Sequence, residues 1–304
     1  MCMRKAGEAG GRVSAGRVAG RALFGAGVMA FALGVGTALG SWAAEIAGLD
    51  GFVGNVIPAL LVTVLAVPVV LVAWRRQYGS FAGLGVASPG RAVVGFVTGV
   101  AVTGLAAVVT MAAGVAIGWI EWADLDVATL GAFLVTNTVL ALLLEAVPEE
   151  LTLRGYVWGN LRKRYRPLLS AFFVTVLFLL VPGLSTVFGG LTRLVLGQGL
   201  GYVGFVPEGQ DVVVYPLLLL MFSALLITAR VALGTVWTSV GAHLVFLTVN
   251  RLMLEGDARE TGWTVQAVSL DALLLIPAYI VLGTALFLVV RGIHLMRIGR
   301  AGRG

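Results

Sequence analysis

The sequence predicts an all-α membrane protein, a polytopic bundle of about eight transmembrane helices. Of its 304 residues, 59% are hydrophobic and only 12% are charged, about half the charged fraction of an ordinary soluble domain. Long stretches without any charge recur along the chain, and several exceed the roughly 18 apolar residues that indicate a spanning helix. These two observations exclude a soluble globular fold.

Eight charge-free runs are the candidate spans, and at about 1.5 Å per residue most of them are long enough to cross a bilayer. They are 22–44, 51–74, 92–120, 127–144 (continuing past the glutamates that follow), 167–189, 212–229, 231–250 and 272–290. The glycine-rich stretch 194–206 is too short for a ninth span, and we predict an interfacial or re-entrant piece there. The first run is longer than the apolar core of a signal peptide, so we interpret it as a retained span.

Basic and acidic residues alternate between successive connections, and this pattern predicts the orientation. Lys and Arg collect on the cytoplasmic side of multi-pass proteins. We therefore expect a protein of the plasma (cytoplasmic) membrane with both termini cytoplasmic. Residues 1–21 form a basic cytoplasmic tail, and 22–304 form a single membrane domain with a motif core at about 127–250. Three arginines break the alternation: Arg193, Arg251 and Arg259.

Composition also excludes several classes of partner and cofactor. The net charge of +6 does not indicate nucleic acid, because the basic residues are spread between apolar runs without an aromatic stacking platform. The single cysteine, Cys2, excludes a disulfide framework and a Cys-based metal cluster. With only His243 and His294, a multi-histidine metal site within one chain is excluded as well.

Three glutamates interrupt the fourth apolar run, in the segment EAVPEELTLR. On a helix, Glu150 and Arg154 are four residues apart and can pair along one face. Glu145 lies one turn before Glu149 on a similar face. Pro148 removes a backbone hydrogen bond to the preceding turn, which predicts a kinked helix and a freed carbonyl beside the acids.

Glu149 and His243 are predicted to lie at the same depth. Counting back from the basic cluster 162–166, and forward from Arg230 as an inner connection, places each about 20 Å into the membrane. A charge at mid-span costs at least about 2.5–3.5 kcal/mol, so such groups usually face a cavity and serve a function. We expect them to meet around a wet hollow open toward the cell interior. A glutamate and a histidine there can activate water, directly or through a metal.

The segment PEELTLRGYVWGNLRKR resembles the first motif of the CPBP intramembrane proteases, the group that contains the type II CAAX prenyl endopeptidases. Its hallmark is Glu-Glu-x-x-x-Arg followed by Gly-Tyr. The next helix, PLLSAFFVTVLFLLVPG, resembles the second motif helix of the family. LLITARVALGTVWTSVGAHLVFLTVN resembles the third, and the likeness covers roughly 127–250.

The resemblance implies a set of site residues. In the family, the glutamate and a second-motif histidine are thought to activate water, while a third-motif His and Asn stabilise the oxyanion. Carried over to this chain, the residues expected to be catalytic are Glu149, Glu150, His243 and Asn250. Arg154 and Glu145 are expected to support them, and a divalent metal such as Zn, if one binds, would be held by Glu149 and His243.

Two positions depart from the family pattern. Pro182 stands four residues after Phe178, where the second motif has its histidine, and Leu247 stands where the third motif has its asparagine. Asn250 follows His243 by seven residues, hence on much the same helix face, and is a candidate substitute one turn away.

Two functional hypotheses remain open. The first is an endopeptidase that cleaves a membrane-associated peptide or protein with a Glu149-activated water. The second is a catalytically inactive scaffold, immunity or accessory protein that uses the same cavity to bind a membrane partner. Both imply contact with the lipid bilayer and no nucleic acid. A transporter is disfavoured, because broken helices in matching halves are not evident. Purely structural roles stay open for the glutamate pair with Arg154, for a core His243 and for a helix-end Asn250.

Overall fold

The computed structural model describes residues 14–301 apart from 257, and within them the chain forms eight long helices. They are α1 (Ala15–Ile46), α2 (Gly51–Tyr78), α3 (Pro89–Ala116), α4 (Val127–Leu161), α5 (Pro167–Val195), α6 (Val214–Leu233), α7 (Val236–Leu254) and α8 (Leu275–Ala301). The first helix begins inside the predicted tail 1–21, of which residues 1–13 lie outside the described part. The all-α, multi-pass architecture is confirmed.

Seven of these helices are long and apolar enough to cross a membrane. The eighth, α7, has 19 residues, and it carries His243, Asn250 and Arg251. Its first half is almost entirely buried, because it packs against α3, α4 and α6. The part of α7 that carries His243 is thus screened from lipid.

The two ends of the bundle differ in charge. One end, here called the basic face, carries the turns 79–88, 162–166 and 234–235. The other, the acidic face, carries the remaining four connections, and Gln198 Nε2 lies 3.4 Å from Glu45 Oε2 across two of them. This segregation matches the charge alternation read from the sequence.

The acidic face also contains the one departure from all-helical structure among the described residues. Strands β1 (Ile120–Trp122) and β2 (Val265–Ala267) form an antiparallel ribbon in which Glu121 pairs with Gln266. Beside it, Trp122 stacks on Trp263 with ring centroids 3.9 Å apart. The ribbon ties the α3–α4 connection to the α7–α8 connection.

The glycine-rich stretch 194–206 is not a re-entrant helix. Helix α5 continues to Val195, and the chain then forms a loop that packs back against it. A Cβ at Gly190 would lie 2.8 Å from the carbonyl oxygen of Leu200, and one at Gly183 would lie 2.8 Å from that of Phe205. The loop therefore covers the end of α5 at the acidic face.

Small residues allow the helices to approach closely, as is usual in membranes, where lipid removes the hydrophobic drive between helices. A Cβ at Gly36 of α1 would lie 2.9 Å from the backbone nitrogen of Val62 in α2. Similarly, a Cβ at Gly241 of α7 would lie 3.0 Å from the backbone nitrogen of Val100 in α3. The second contact fixes the helix that carries His243.

The helix boundaries follow local chemistry. Asp126 begins α4 by accepting hydrogen bonds from the backbone nitrogens of Ala128 (3.0 Å) and Thr129 (3.2 Å). The Thr129 hydroxyl, 2.7 Å from the carboxylate, lowers the pKa of Asp126. Gly234 ends α6 with φ +73°, a left-handed conformation that glycine adopts without strain. Thr235 then caps α7 by accepting from the backbone nitrogen of Trp237 at 3.3 Å.

Candidate functional site

Helix α4 is irregular where the three glutamates lie. Wide π-turns occupy Leu142–Ala146 and Glu150–Val157 and flank the short α-helical piece Val147–Glu149 that contains Pro148. The winding of α4 therefore changes on both sides of Pro148, and the kink expected there stays a prediction. In the preceding turn, the carbonyl of Leu143 accepts a hydrogen bond from the Thr63 hydroxyl. Such π-turns are frequent at functional sites.

Glu150 is fully buried and is held by two cationic or polar partners. Its Oε1 lies 3.3 Å from Arg154 Nη1, which confirms the predicted pair, and 3.1 Å from His243 Nδ1. A buried carboxylate is stable only when it is paired and hydrogen-bonded. Glu150 therefore serves to hold Arg154 and His243 in position.

Arg154 is itself completely buried and packed on several sides. Its guanidinium carbon lies 4.2 Å over the Phe178 ring, and Nη2 lies 3.4 Å from Ser223 Oγ. Arg230, buried in α6, donates from Nε to the Arg154 carbonyl at 3.2 Å. The prediction of Arg230 as a connection residue is wrong, since α6 continues to Leu233.

Glu149 has a different environment from its neighbour. It is 7% exposed and lines a cavity of about 330 Å³ that is also lined by His243. Within the described part of the chain, Glu149 makes no hydrogen bond or ion pair. Its carboxylate thus borders the cavity without being tied to a neighbouring side chain.

The cavity lies between α1, α4, α5, α6 and α7. Its deep wall is formed by buried aromatic and aliphatic groups together with Glu149 and His243, namely Phe178, Val181, Pro182 and Phe222. Phe222 packs edge-on against the His243 ring at 4.9 Å between centroids. This is an apolar pocket with two ionisable groups in its wall, a common composition for binding sites.

The mouth of the cavity is at the acidic face. Exposed Gln210, from the α5–α6 loop, and half-buried Tyr215 and Asn250 line that end. Toward the basic face, Arg154 is buried against Glu150, and the buried side chain of Leu84 packs against Gly155. The cavity therefore borders the acidic face rather than the basic one, and which of these two faces meets the cell interior stays a prediction.

Glu145 lies at this mouth in a polar network that the sequence did not predict. Arg251 Nη2 lies 2.9 Å from Glu145 Oε1, and Nη1 lies 2.7 Å from Asn137 Oδ1. Asn137 in turn donates to the Thr248 hydroxyl at 3.0 Å. The signal was present, because Arg251 was one of three arginines that broke the charge alternation.

Asn250 lines the same cavity as His243, and its side-chain oxygen is engaged by another helix. Its Oδ1 accepts a hydrogen bond from the Tyr279 hydroxyl at 3.1 Å, and it lies at the mouth. Leu247, between it and His243 along α7, also lines the cavity. Pro182 and Leu247, the two positions that depart from the motifs that this sequence resembles, thus both border the cavity.

The donor set does not fit a catalytic zinc ion with three protein ligands. In residues 14–301, leaving out 257, no group of three or more His, Cys, Asp or Glu side chains is placed to hold a metal ion. Glu149 and His243 supply two donors, and Glu150 is already engaged by Arg154 and His243. A divalent metal held by Glu149 and His243 remains a prediction.

Comparison with known families gives one match. The model described as Rce1-like, type II CAAX prenyl endopeptidase Rce1-like, matches residues 131–249. This range includes the π-turns of α4, all of α5 and α6, and α7 through His243. No curated protein and no solved structure shows a significant match to the chain.

Proposed function

Because residues 131–249 match the model of the Rce1-like type II CAAX prenyl endopeptidase family, we propose that the chain is a membrane-embedded endopeptidase. Its substrate is a membrane-associated peptide or protein, and its reaction is peptide hydrolysis by a Glu149-activated water. The observation that carries this proposal is the contrast within one glutamate pair. Glu150 is held by Arg154 and His243, whereas Glu149 borders the cavity without a partner among the described side chains.

Each group has a defined role in the proposed reaction. Glu149 accepts a proton from water as the water oxygen attacks the scissile carbonyl carbon. His243, oriented through Nδ1 by Glu150, directs Nε2 toward the cavity and in its protonated form donates to the oxyanion. The proton then passes from Glu149 to the leaving nitrogen as the C–N bond breaks. The products are a free carboxylate and a free amine.

A second function is favoured by the two apolar replacements. Neither Pro182 nor Leu247 can donate or accept through its side chain, so water and oxyanion have fewer partners than in the family pattern. Loss of one acid–base group commonly costs about 10²–10⁴ in rate. In this alternative, the cavity binds a membrane peptide without cleaving it, and the protein acts as a scaffold, immunity or accessory factor.

The proposed location is the plasma membrane with both termini cytoplasmic, supported by the charge alternation between connections. In that orientation the acidic face, and with it the cavity mouth, is extracytoplasmic. A prenylated substrate is suggested only by the family description.

The test uses the purified full chain in liposomes. A farnesylated peptide ending in a CaaX sequence and a mixture of unprenylated transmembrane peptides are offered separately, and mass spectrometry identifies new peptide ends. We expect cleavage that is lost in Glu149→Gln and retained in Glu121→Gln, whose carboxylate is exposed on the ribbon. Cleavage that is equal in both variants contradicts the proposal.

Binding assays on the same samples separate the two functions. A wild-type chain that binds a peptide without cleaving it supports the scaffold. In that case Pro182→His combined with Leu247→Asn is expected to produce cleavage, because both side chains border the cavity. Metal analysis of wild type and Glu149→Gln tests the predicted divalent ion separately.

A further inference from the structure

A second large cavity lies at the basic face, far from the mouth of the first. It has a volume of about 750 Å³ and is bordered by the α2–α3 connection, the start of α3, the α6–α7 turn and the last part of α8. The ionisable side chains among its lining residues are all basic: Arg91, Arg230 and His294. The sequence pattern does not predict that these three residues lie together.

Arg230 is the central group of this cavity. It is 6% exposed, and in the part of the chain that the structure describes it makes no ion pair with a carboxylate. Its guanidinium lies against Gly85, where a Cβ would come 2.5 Å from Cζ. Gly85 also has φ +91°, a conformation that favours glycine. Both the backbone conformation and the close contact with Arg230 therefore require a glycine at this position. A buried cation of this kind is unfavourable unless an anion pairs with it.

One helix N-terminus reinforces the positive potential. Helix α3 begins after Ser88, whose side chain makes no capping hydrogen bond, whereas the first two backbone N–H groups of α7 are already bound by the Gly85 carbonyl and the Thr235 hydroxyl. Ser88, Gly90 and Thr235 all line the cavity. The N-terminal end of a helix carries partial positive charge and unpaired backbone N–H groups, which favour phosphate.

An apolar groove joins the cavity at Arg230 and Gly234, which line both. The groove has a volume of about 590 Å³ and runs between α5, α6 and α8 on the side of the bundle. Its walls are largely aliphatic and aromatic, including Leu168, Phe172, Leu220, Ala224 and Leu288. Its other charged lining residues are again basic, Arg162 and Arg291.

We propose that the Arg230 cavity and this groove together bind one anionic phospholipid. The phosphodiester pairs with Arg230, with Arg91 and His294 at the rim, and an acyl chain lies in the groove. Continuity of a cationic pocket with an apolar channel, at the end of a membrane helix, fits a lipid better than a soluble anion. The proposal does not depend on peptide hydrolysis.

Occupation of this site stabilises the other one. Arg230 donates to the carbonyl of Arg154, which pairs with Glu150, which contacts His243. These contacts connect Arg230 to His243 in the wall of the first cavity. An anion bound to Arg230 therefore holds this series of contacts in place. A bound lipid is expected to raise the unfolding temperature of the whole bundle.

The experiment is native mass spectrometry of the detergent-purified full chain, titrated with phosphatidylglycerol or with phosphatidylcholine of the same acyl chains. We expect one phosphatidylglycerol to be retained in preference to phosphatidylcholine, with a matching rise in unfolding temperature. Arg230→Gln is expected to weaken retention about tenfold or more. The double variant Arg91→Gln, His294→Gln changes only rim residues and is expected to weaken retention about fivefold or more, because it removes the positive charge of Arg91 and a further polar contact.

The matched control is Arg164→Gln, an exposed arginine on the same face that lines neither space. It is expected to retain phosphatidylglycerol as the wild type does. Equal retention of both lipids, or unchanged retention in the folded rim double variant, overturns the proposal. So does an equal thermal shift with inorganic phosphate alone, because the ligand would then be a soluble anion.

Discussion

Adjacent glutamates in α4 experience opposite surroundings, and this difference has a measurable consequence. The Glu150 carboxylate contacts two buried groups, Arg154 and His243, whereas the Glu149 carboxylate makes no ion pair with any described residue. Removing one partner of a buried ion pair leaves an uncompensated charge, which typically costs about 3–5 kcal/mol. Neutralising an unpaired buried carboxylate removes an unfavourable charge instead.

We therefore predict that Glu150→Gln lowers the free energy of unfolding by about 3–5 kcal/mol. Glu149→Gln is expected to change it by less than about 1 kcal/mol. Denaturant unfolding in detergent micelles, followed by tryptophan fluorescence, measures both. This separates a structural from a functional glutamate without any substrate.

A double-mutant cycle provides the control for this prediction. Arg154→Gln alone should be as damaging as Glu150→Gln, and the double variant should lose less than the sum of the two, because contacting residues couple. Additive losses, or equal stability of Glu149→Gln and Glu150→Gln, would contradict the assignment of Glu150 as the structural member.

At the scale of helices, α4 and α7 are joined at both ends of the cavity. The deep contact is Glu150 with His243, and the contact at the mouth is Glu145 with Arg251. The mouth pair is only partly buried, so it is worth about 1 kcal/mol or less. Its position across the entrance makes it the element that limits how far α4 and α7 separate there.

We predict that Arg251→Glu and Glu145→Arg each destabilise the protein by about 1 kcal/mol or more through like-charge contact. The exchange of both residues is expected to recover most of the loss, since it restores an opposite pair at the same place. Denaturant unfolding in detergent micelles measures the free energy of unfolding of all three variants. An exchange variant that is no more stable than either single one shows that Arg251 acts mainly through Asn137.

Helix boundaries explain what the sequence could and could not predict. Charge-free runs placed the spans well, but the sixth and seventh were separated at Arg230, whereas the structure separates them at Gly234. A charge marks a helix end only when it lies in water, and Arg230 is buried. The seventh predicted run likewise ended before Arg251, because Arg251 is charged. In the structure, Arg251 is an internal residue of α7.

The sequence predicted which residue types would come together at the site, whereas their depth in the membrane stays a prediction. Motif spacing and counted depth predicted that Glu149, Glu150 and His243 lie together. In the structure, Glu149 and His243 line one cavity, and the carboxylate that contacts His243 is that of Glu150. The direction of the opening was not predictable. It depends on how distant segments pack around α4, as where Leu84, from the α2–α3 connection, packs against Gly155.

For the whole molecule, the decisive question is which compartment the cavity faces. Its mouth lies beside Gln210 on the acidic face, while Arg164 is exposed on the basic face. The positive-inside tendency places the basic face in the cytoplasm. A peptide would then enter the cavity from the extracytoplasmic side and not from the cytoplasm.

We predict that, in a Cys2→Ser background, Gln210→Cys reacts with a membrane-impermeant maleimide added to intact cells. Arg164→Cys is expected to react only after the membrane is permeabilised. Both positions are exposed, so each substitution should change stability by less than about 0.5 kcal/mol. Labelling of Arg164→Cys but not Gln210→Cys in intact cells would reverse the orientation and turn the cavity, with Glu149 and His243 in its wall, toward the cytoplasm.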